Sequence, residues 1–180
     1  PDAVRPINAR VIMLAAIDRV TKVGYIIVAG HAPTEASTEV EKIAFYDDLH
    51  SNVRCLVTAY PRHKIFTMLD ANGTVGSNAA QGIGSCQLES ETRNGELMRQ
   101  YLMEFGLCAS NTFFNAGHTW VSGHGNRRRI DYIISSMGLH KHIREVFTDP
   151  GIEIGTTAKI DHIVVGAEFD AQVEAYPFKH

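Results

Sequence analysis

The run Lys64-Ile65-Phe66-Thr67-Met68-Leu69-Asp70-Ala71-Asn72-Gly73-Thr74-Val75-Gly76 changes character in its middle. As far as Leu69 it is apolar and short enough for one strand buried in a sheet. From Asp70 on it is polar, and Gly73 and Gly76 permit a tight turn. A carboxylate and an amide, Asp70 and Asn72, therefore stand at the end of a buried strand, where α/β proteins collect their active-site groups. By itself an Asp-x-Asn-Gly turn also forms simply by bonding its own backbone. The neighbouring segments decide between the two readings.

Upstream, the apolar run Val11 to Ile17 and the β-branched stretch Tyr25 to Ala29 read as adjacent strands of a buried sheet. Ser37-Thr38-Glu39 opens a helix in which Val40, Ile43, Ala44, Leu49 and Val53 recur at helical spacing, ending before Pro61. Downstream, a loop rich in Gly, Asn, Gln and Ser runs from Ala71 to about Thr92, long enough to be functional. Asn94 to Phe105 is a second helix, with Leu97, Tyr101, Leu102 and Phe105 on one face and a stop at Gly106. Short strand-like pieces follow at Leu107 to Ser110, His118 to Ser122, Arg129 to Ser135, Ile143 to Phe147 and Ile160 to Val165. Strand, helix, strand, helix and then several strands give a mixed α/β domain, and 180 residues give one such domain.

Bulk properties narrow the classes of function. With 44% hydrophobic and 21% charged residues the chain is of ordinary globular composition. Its longest apolar run falls far short of the ~20 residues a membrane span needs. No signal peptide is visible at Pro1, and a first residue other than Met suggests a piece of a longer protein. A net charge of −3 and a pI near 6.3 argue against wholesale attraction to nucleic acid, though not against a local basic patch. Cys55, Cys86 and Cys108 lack C-x-x-C spacing and read as buried apolar residues in a reducing, intracellular compartment. His140-x-His142 and His118 through His124 supply no zinc framework, and Gly82-Ile83-Gly84 lacks the setting of a nucleotide-binding loop.

Four predicted strand ends carry polar groups: His31-Ala32-Pro33, Asp70-Ala71-Asn72-Gly73, Arg129-Ile130-Asp131-Tyr132 and Asp161-His162. A carboxylate inside a strand, as at Asp131, needs a partner, and a histidine is the natural one. Arg127-Arg128-Arg129, lying between Trp120 and Asp131, offers phosphate contacts, with Trp120 packing on a sugar or base. In order and combination, these four sites together with Asn111-Thr112-Phe113-Phe114, Thr119-Trp120 and Arg129-Ile130-Asp131-Tyr132-Ile133 resemble the endonuclease/exonuclease/phosphatase superfamily. Within it they are most similar to the endonuclease domains of non-LTR retrotransposons. The resemblance covers roughly residues 10 to 168.

The resemblance implies a DNase I-like sandwich of two β-sheets flanked by helices. It implies that Asp70 orients or deprotonates the attacking water and that Asn72 holds the scissile phosphate. It further implies that His162 stabilises the developing charge with Asp131 as its partner, that Asp161 helps to hold Mg²⁺ or Mn²⁺, and that His31 contacts phosphate. Asn111, Trp120, Arg127, Arg128 and Arg129 are the expected nucleic-acid contacts. DNA is then the substrate and the protein a monomer, expressed beside a reverse transcriptase and nuclear if it derives from a retroelement.

Three departures from the pattern stand out. The Asn-bearing loop and the strand-ending Glu that open such domains are not found, so the chain is expected to lack its first strands and to be catalytically weak or inactive. Leu69 replaces the usual Gly and Ile160 the usual Ser. The rival expectations are a phosphatase of the same superfamily and a non-catalytic remnant that binds nucleic acid.

Overall fold

The computed structural model describes residues 5–76, 82–152 and 161–170. Ten strands are described: β1 (Arg5–Asn8), β2 (Val11–Ile17), β3 (Gly24–His31), β4 (Lys64–Asp70), β5 (Leu107–Ala109), β6 (Trp120–Val121), β7 (Arg127–Arg128), β8 (Asp131–Ser136), β9 (Ile143–Asp149) and β10 (Val164–Phe169). Three α-helices accompany them: α1 (Glu39–Ala59), α2 (Arg93–Phe105) and the single turn α3 (Met137–His140). Six strands form one sheet in the order β1-β2-β3-β4-β8-β5. Within it β3 and β4 run parallel, with α1 between them in the chain, and the other pairs are antiparallel.

Side chains alternate along a strand, so the sheet has two unlike faces. One carries Ile26, Val28, Ile65, Leu69, Tyr132 and Ile134 into the main core, closed by Phe45, Tyr46, Leu49 and Val53 of α1 and by Leu97, Met98, Tyr101 and Leu102 of α2. Thr67, buried on this face, bonds the Tyr101 hydroxyl at 3.0 Å. On the other face β9 and β10 form an antiparallel pair whose Ile143, Val146, Val165 and Ala167 cluster with Ile133 and Phe66. Two sheets facing each other with helices outside is the DNase I-like arrangement expected from the sequence.

Both long helices form where the sequence places them, for identifiable local reasons. Thr38 and Glu41 make a capping box at the start of α1, while Thr92 caps α2 and Gly106, at φ 61°, ends it. The buried face of α1 differs from expectation. Val40, Ile43 and Ala44 are exposed, and the larger Phe45 and Tyr46 take the core positions. Three short elements escaped the sequence. They are β1, the turn α3, and β7, which turns part of the arginine run into the return strand of a hairpin with β6. The last strand starts at Val164 rather than earlier, leaving Asp161 and His162 outside it, and Ile160 lies outside the described residues. Of the cysteines only Cys108 is buried; Cys55 sits on the outer side of α1 and Cys86 is half-buried. Among the described residues no helix is long and apolar enough to cross a membrane.

Candidate active site

Strand register assembles the site. His31 ends β3 and stands beside Asp70, the end of β4, and Asp70 stands opposite Asp131, the start of β8. Because Leu69 and Tyr132 point into the helix-side core, Asp70 and Asp131 point to the other face. The backbone of Asp131 is not spent on Asp70. Its N–H donates to the Thr119 hydroxyl at 3.0 Å and its carbonyl accepts from the Asn111 amide at 2.9 Å. Facing residues without mutual backbone bonds bring their side chains closest.

His162 comes in from the segment before β10, its Nδ1 lying 3.1 and 3.3 Å from the two Asp131 carboxylate oxygens. At the far side, His31 Nε2 is 3.4 Å from Asp70 Oδ2. The result is a row, His31, Asp70, Asp131, His162, in which two acids sit between two imidazoles. Burial and the neighbouring Asp131 charge raise the Asp70 carboxyl above its ordinary range, against the Asn72 amide and the two histidines. The bond to Asp131 raises His162, against its partial burial.

Asn72 sits at φ 47°, a left-handed conformation that Asn tolerates, with its N–H on Asp70 Oδ1 at 2.9 Å. The self-bonded turn and the site residue are thus the same structure. One Asn72 side-chain N–H goes to the Ala32 carbonyl at 2.8 Å, tying this turn to the loop after His31. His31, Asp70, Asn72 and His162 line a cleft of about 540 Å³, together with Trp120, Arg128 and Asp161.

Asp70, Asp131 and His162 each offer a ligand atom, all within 4.8 Å of one another. Among the described residues they are the one His/Cys/Asp/Glu group so arranged. Asp161, expected as the metal ligand, is outside it: exposed, it accepts a hydrogen bond from the Trp120 indole N–H at 3.1 Å.

Two expected nucleic-acid contacts are placed otherwise. Arg129 is 4% exposed, its guanidinium on the Cys86 carbonyl, the Gln87 side chain and the Gly117 carbonyl and its amide on Glu89. It braces the segment before α2 against β8. Asn111 is fully buried beneath Asp131. Arg127 and Arg128 are exposed on β7, and Trp120 is half-buried on β6.

Three residues support the site in roles that the sequence does not assign. Thr119 bonds the amides of Ile130 and Asp131. Asn94, fully buried near the start of α2, donates its side-chain amide to the Pro33 and Asn72 carbonyls. Its backbone N–H bonds Glu35, which also pairs with the buried Lys42. Thr119 belongs to the Thr119-Trp120 pair that the sequence singles out without giving the Thr a role, whereas a polar residue in a helix's first turn, such as Asn94, carries no sequence signal of such a role.

No protein-family model matches this chain. No curated protein matches it in sequence. Solved structures do match. A 3′ phosphatase from Neisseria bound to product DNA hairpin is 22% identical with a TM-score of 0.60, over 89% of this chain and 65% of that one. The endonuclease domain of TRAS1, a telomere-specific non-LTR retrotransposon, is 13% identical with a TM-score of 0.61, over 91% of this chain and 64% of that one. An AP endonuclease from Archaeoglobus fulgidus is 16% identical with a TM-score of 0.60, over 89% and 65%. The chain therefore spans just under two thirds of the length of each of these three structures.

Proposed function

We propose that this chain, which has the fold of the endonuclease/exonuclease/phosphatase proteins, carries a site for metal-dependent hydrolysis of a phosphodiester in DNA. The observation that carries this reading is the row His31, Asp70, Asp131, His162 at one rim of the sheet, beside a hairpin bearing exposed arginines.

Asp70 orients the attacking water and takes its proton. Asn72 keeps one side-chain N–H for a phosphate oxygen, and His31, exposed at the rim, contacts the same phosphate. Asp131 fixes the orientation of the His162 ring and favours its charged form, which faces the charge developing on phosphorus. Arg127, Arg128 and Trp120 hold the strand.

A divalent ion fits the trio Asp70, Asp131 and His162, since two adjacent carboxylates whose repulsion raises one of them are relieved by a cation. Two carboxylates and an imidazole suit Mn²⁺ at least as well as Mg²⁺. When bound, the ion supplies Lewis-acid stabilisation of phosphate charge. Held by these three residues, it would take the place of the proton that Asp131 otherwise favours on His162.

The test is nicking of supercoiled plasmid by the 180-residue chain in Mn²⁺ and in Mg²⁺. Slow nicking is expected, falling about 10²-fold or more in Asp70→Ala and in His162→Ala. Absence of product in both metals at every protein concentration would refute catalysis. A gel shift of DNA without product would instead support a non-catalytic binder, and release of a terminal 3′ phosphate without nicking would support a phosphatase.

A further inference from the structure

We propose that Thr119 is a positioning residue of this site: one buried side chain and its own carbonyl together set the distance between Asp131 and His162. The proposal rests on the phosphodiesterase reading for its functional meaning, but the placement it describes is tested without turnover.

Thr119 is fully buried just before β6. Its hydroxyl oxygen accepts from the N–H groups of both Ile130 and Asp131, each at 3.0 Å, so it holds the start of β8. Its carbonyl accepts from the Ile163 N–H at 2.7 Å, so it also holds the residue next to His162. Its N–H donates to the Arg128 carbonyl at 2.9 Å, which ties in the arginine strand β7. Two segments well separated in the chain, Arg128 to Asp131 and the stretch at Ile163, thus meet on one residue.

Other contacts show why that meeting matters. The stretch 161–163 is stitched to β6: the Val121 N–H bonds the Asp161 carbonyl at 2.8 Å, the Trp120 indole bonds the Asp161 carboxylate, and Trp120 bridges to His162. Direct bonding of this stretch to β8 is the imidazole–carboxylate pair itself. Thr119 is therefore the joint through which the strand bearing His162 is registered against the strand bearing Asp131. The same joint keeps Arg128 in step with them, so a phosphate held by that arginine lies at a fixed offset from His162. Asn111 completes the mount from the opposite side through the Asp131 carbonyl.

Thr119→Val keeps the shape but leaves two buried amide N–H groups without an acceptor, whereas Thr119→Ser keeps the acceptor. Three measurements on the full chain follow: amide hydrogen exchange at Ile130 and Asp131, Mn²⁺ affinity, and plasmid nicking split into kcat and KM. In Thr119→Val, exchange at both amides accelerates, Mn²⁺ affinity falls by about 10–100-fold, and kcat falls by a similar factor with KM little changed. Thr119→Ser stays within about twofold of the parent in all three. Wild-type Mn²⁺ affinity and kcat in Thr119→Val would overturn the proposal, as would equal damage in Thr119→Ser, which would make the residue a volume filler. Should the valine variant not fold, Thr119→Cys, with its weak sulfur acceptor, is expected to fall between parent and loss, and full Mn²⁺ affinity there would overturn it equally. If the parent chain nicks nothing, the phosphodiesterase reading fails, while exchange and Mn²⁺ affinity still decide for or against Thr119.

Discussion

Asp70 is ionised at a cost that its surroundings impose. Burial and the Asp131 charge raise its carboxyl, so folding favours the protonated form and ionisation at neutral pH works against stability. Asp70→Asn keeps an oxygen for the Asn72 N–H and removes that cost. In metal-free buffer it is expected to gain about 1 kcal/mol, or ~2–4 °C in Tm, while losing activity. A lower Tm by calorimetry would contradict this electrostatic account.

Glu35 has the opposite sign. Against burial, bonds from the Thr92 hydroxyl, the Asn94 amide and Lys42 hold its carboxyl below the usual range. Its stabilising contribution is thus present above the unfolded carboxyl value and is lost as pH falls through the lower folded one. Glu35→Gln should lower stability at pH 7 but flatten the decline in Tm below about pH 4.5, the ordinary glutamate range. An unchanged acid slope would show that Glu35 is not the group responsible. Asp70, Asn72, Asp131, His162 and His31 were legible as polar groups at strand ends. Arg129 was not, because three consecutive arginines read alike until the backbone turns one of them inward.

At the scale of elements, the β6–β7 hairpin separates two neighbouring arginines by function. Arg128 is exposed on the cleft wall, and Arg128→Ala is expected to weaken DNA binding and to reduce the salt slope by about 1, leaving stability unchanged. Arg129→Ala is expected to cost about 1–3 kcal/mol by urea denaturation, since a buried side chain is removed and the half-buried Cys86 and Gly117 carbonyls lose their donor. Binding titrations and denaturation curves that gave both variants the same phenotype would refute the division. The helices were legible from apolar spacing and caps, yet the inner face of α1 was not. Spacing alone ranks Val40 with Leu49, while packing favours the bulk of Phe45 and Tyr46. Elements of two to four residues such as β7, β1 and α3 carry too few positions for any period to register.

The molecule as a whole is a sheet with one face closed by helices and the other partly covered by β9 and β10. Ile27, Phe66, Met68 and Phe169 line an apolar trough on that second face. The two-layer architecture was legible because strand and helix runs alternate in a recognisable order. Convergence of the site was legible only through the order of motifs, since it depends on the register of β3, β4 and β8, which no local signal encodes.

That convergence sets the response of the entire fold to a divalent ion. An ion that binds Asp70, Asp131 and His162 together binds only the native state, because in the unfolded chain these groups are separated by long stretches of sequence. At a concentration about 100 times its dissociation constant it adds roughly 2.7 kcal/mol, which corresponds to roughly 5–10 °C in Tm. Mn²⁺ is expected to raise Tm at least as much as Mg²⁺, and the rise should shrink as pH falls, since protons compete for His162. Asp131→Asn should abolish most of it, while Asp161→Asn, outside the trio, should leave it intact. A full Mn²⁺ effect in Asp131→Asn, or its loss in Asp161→Asn, would move the ion to Asp161 and remove it from the row.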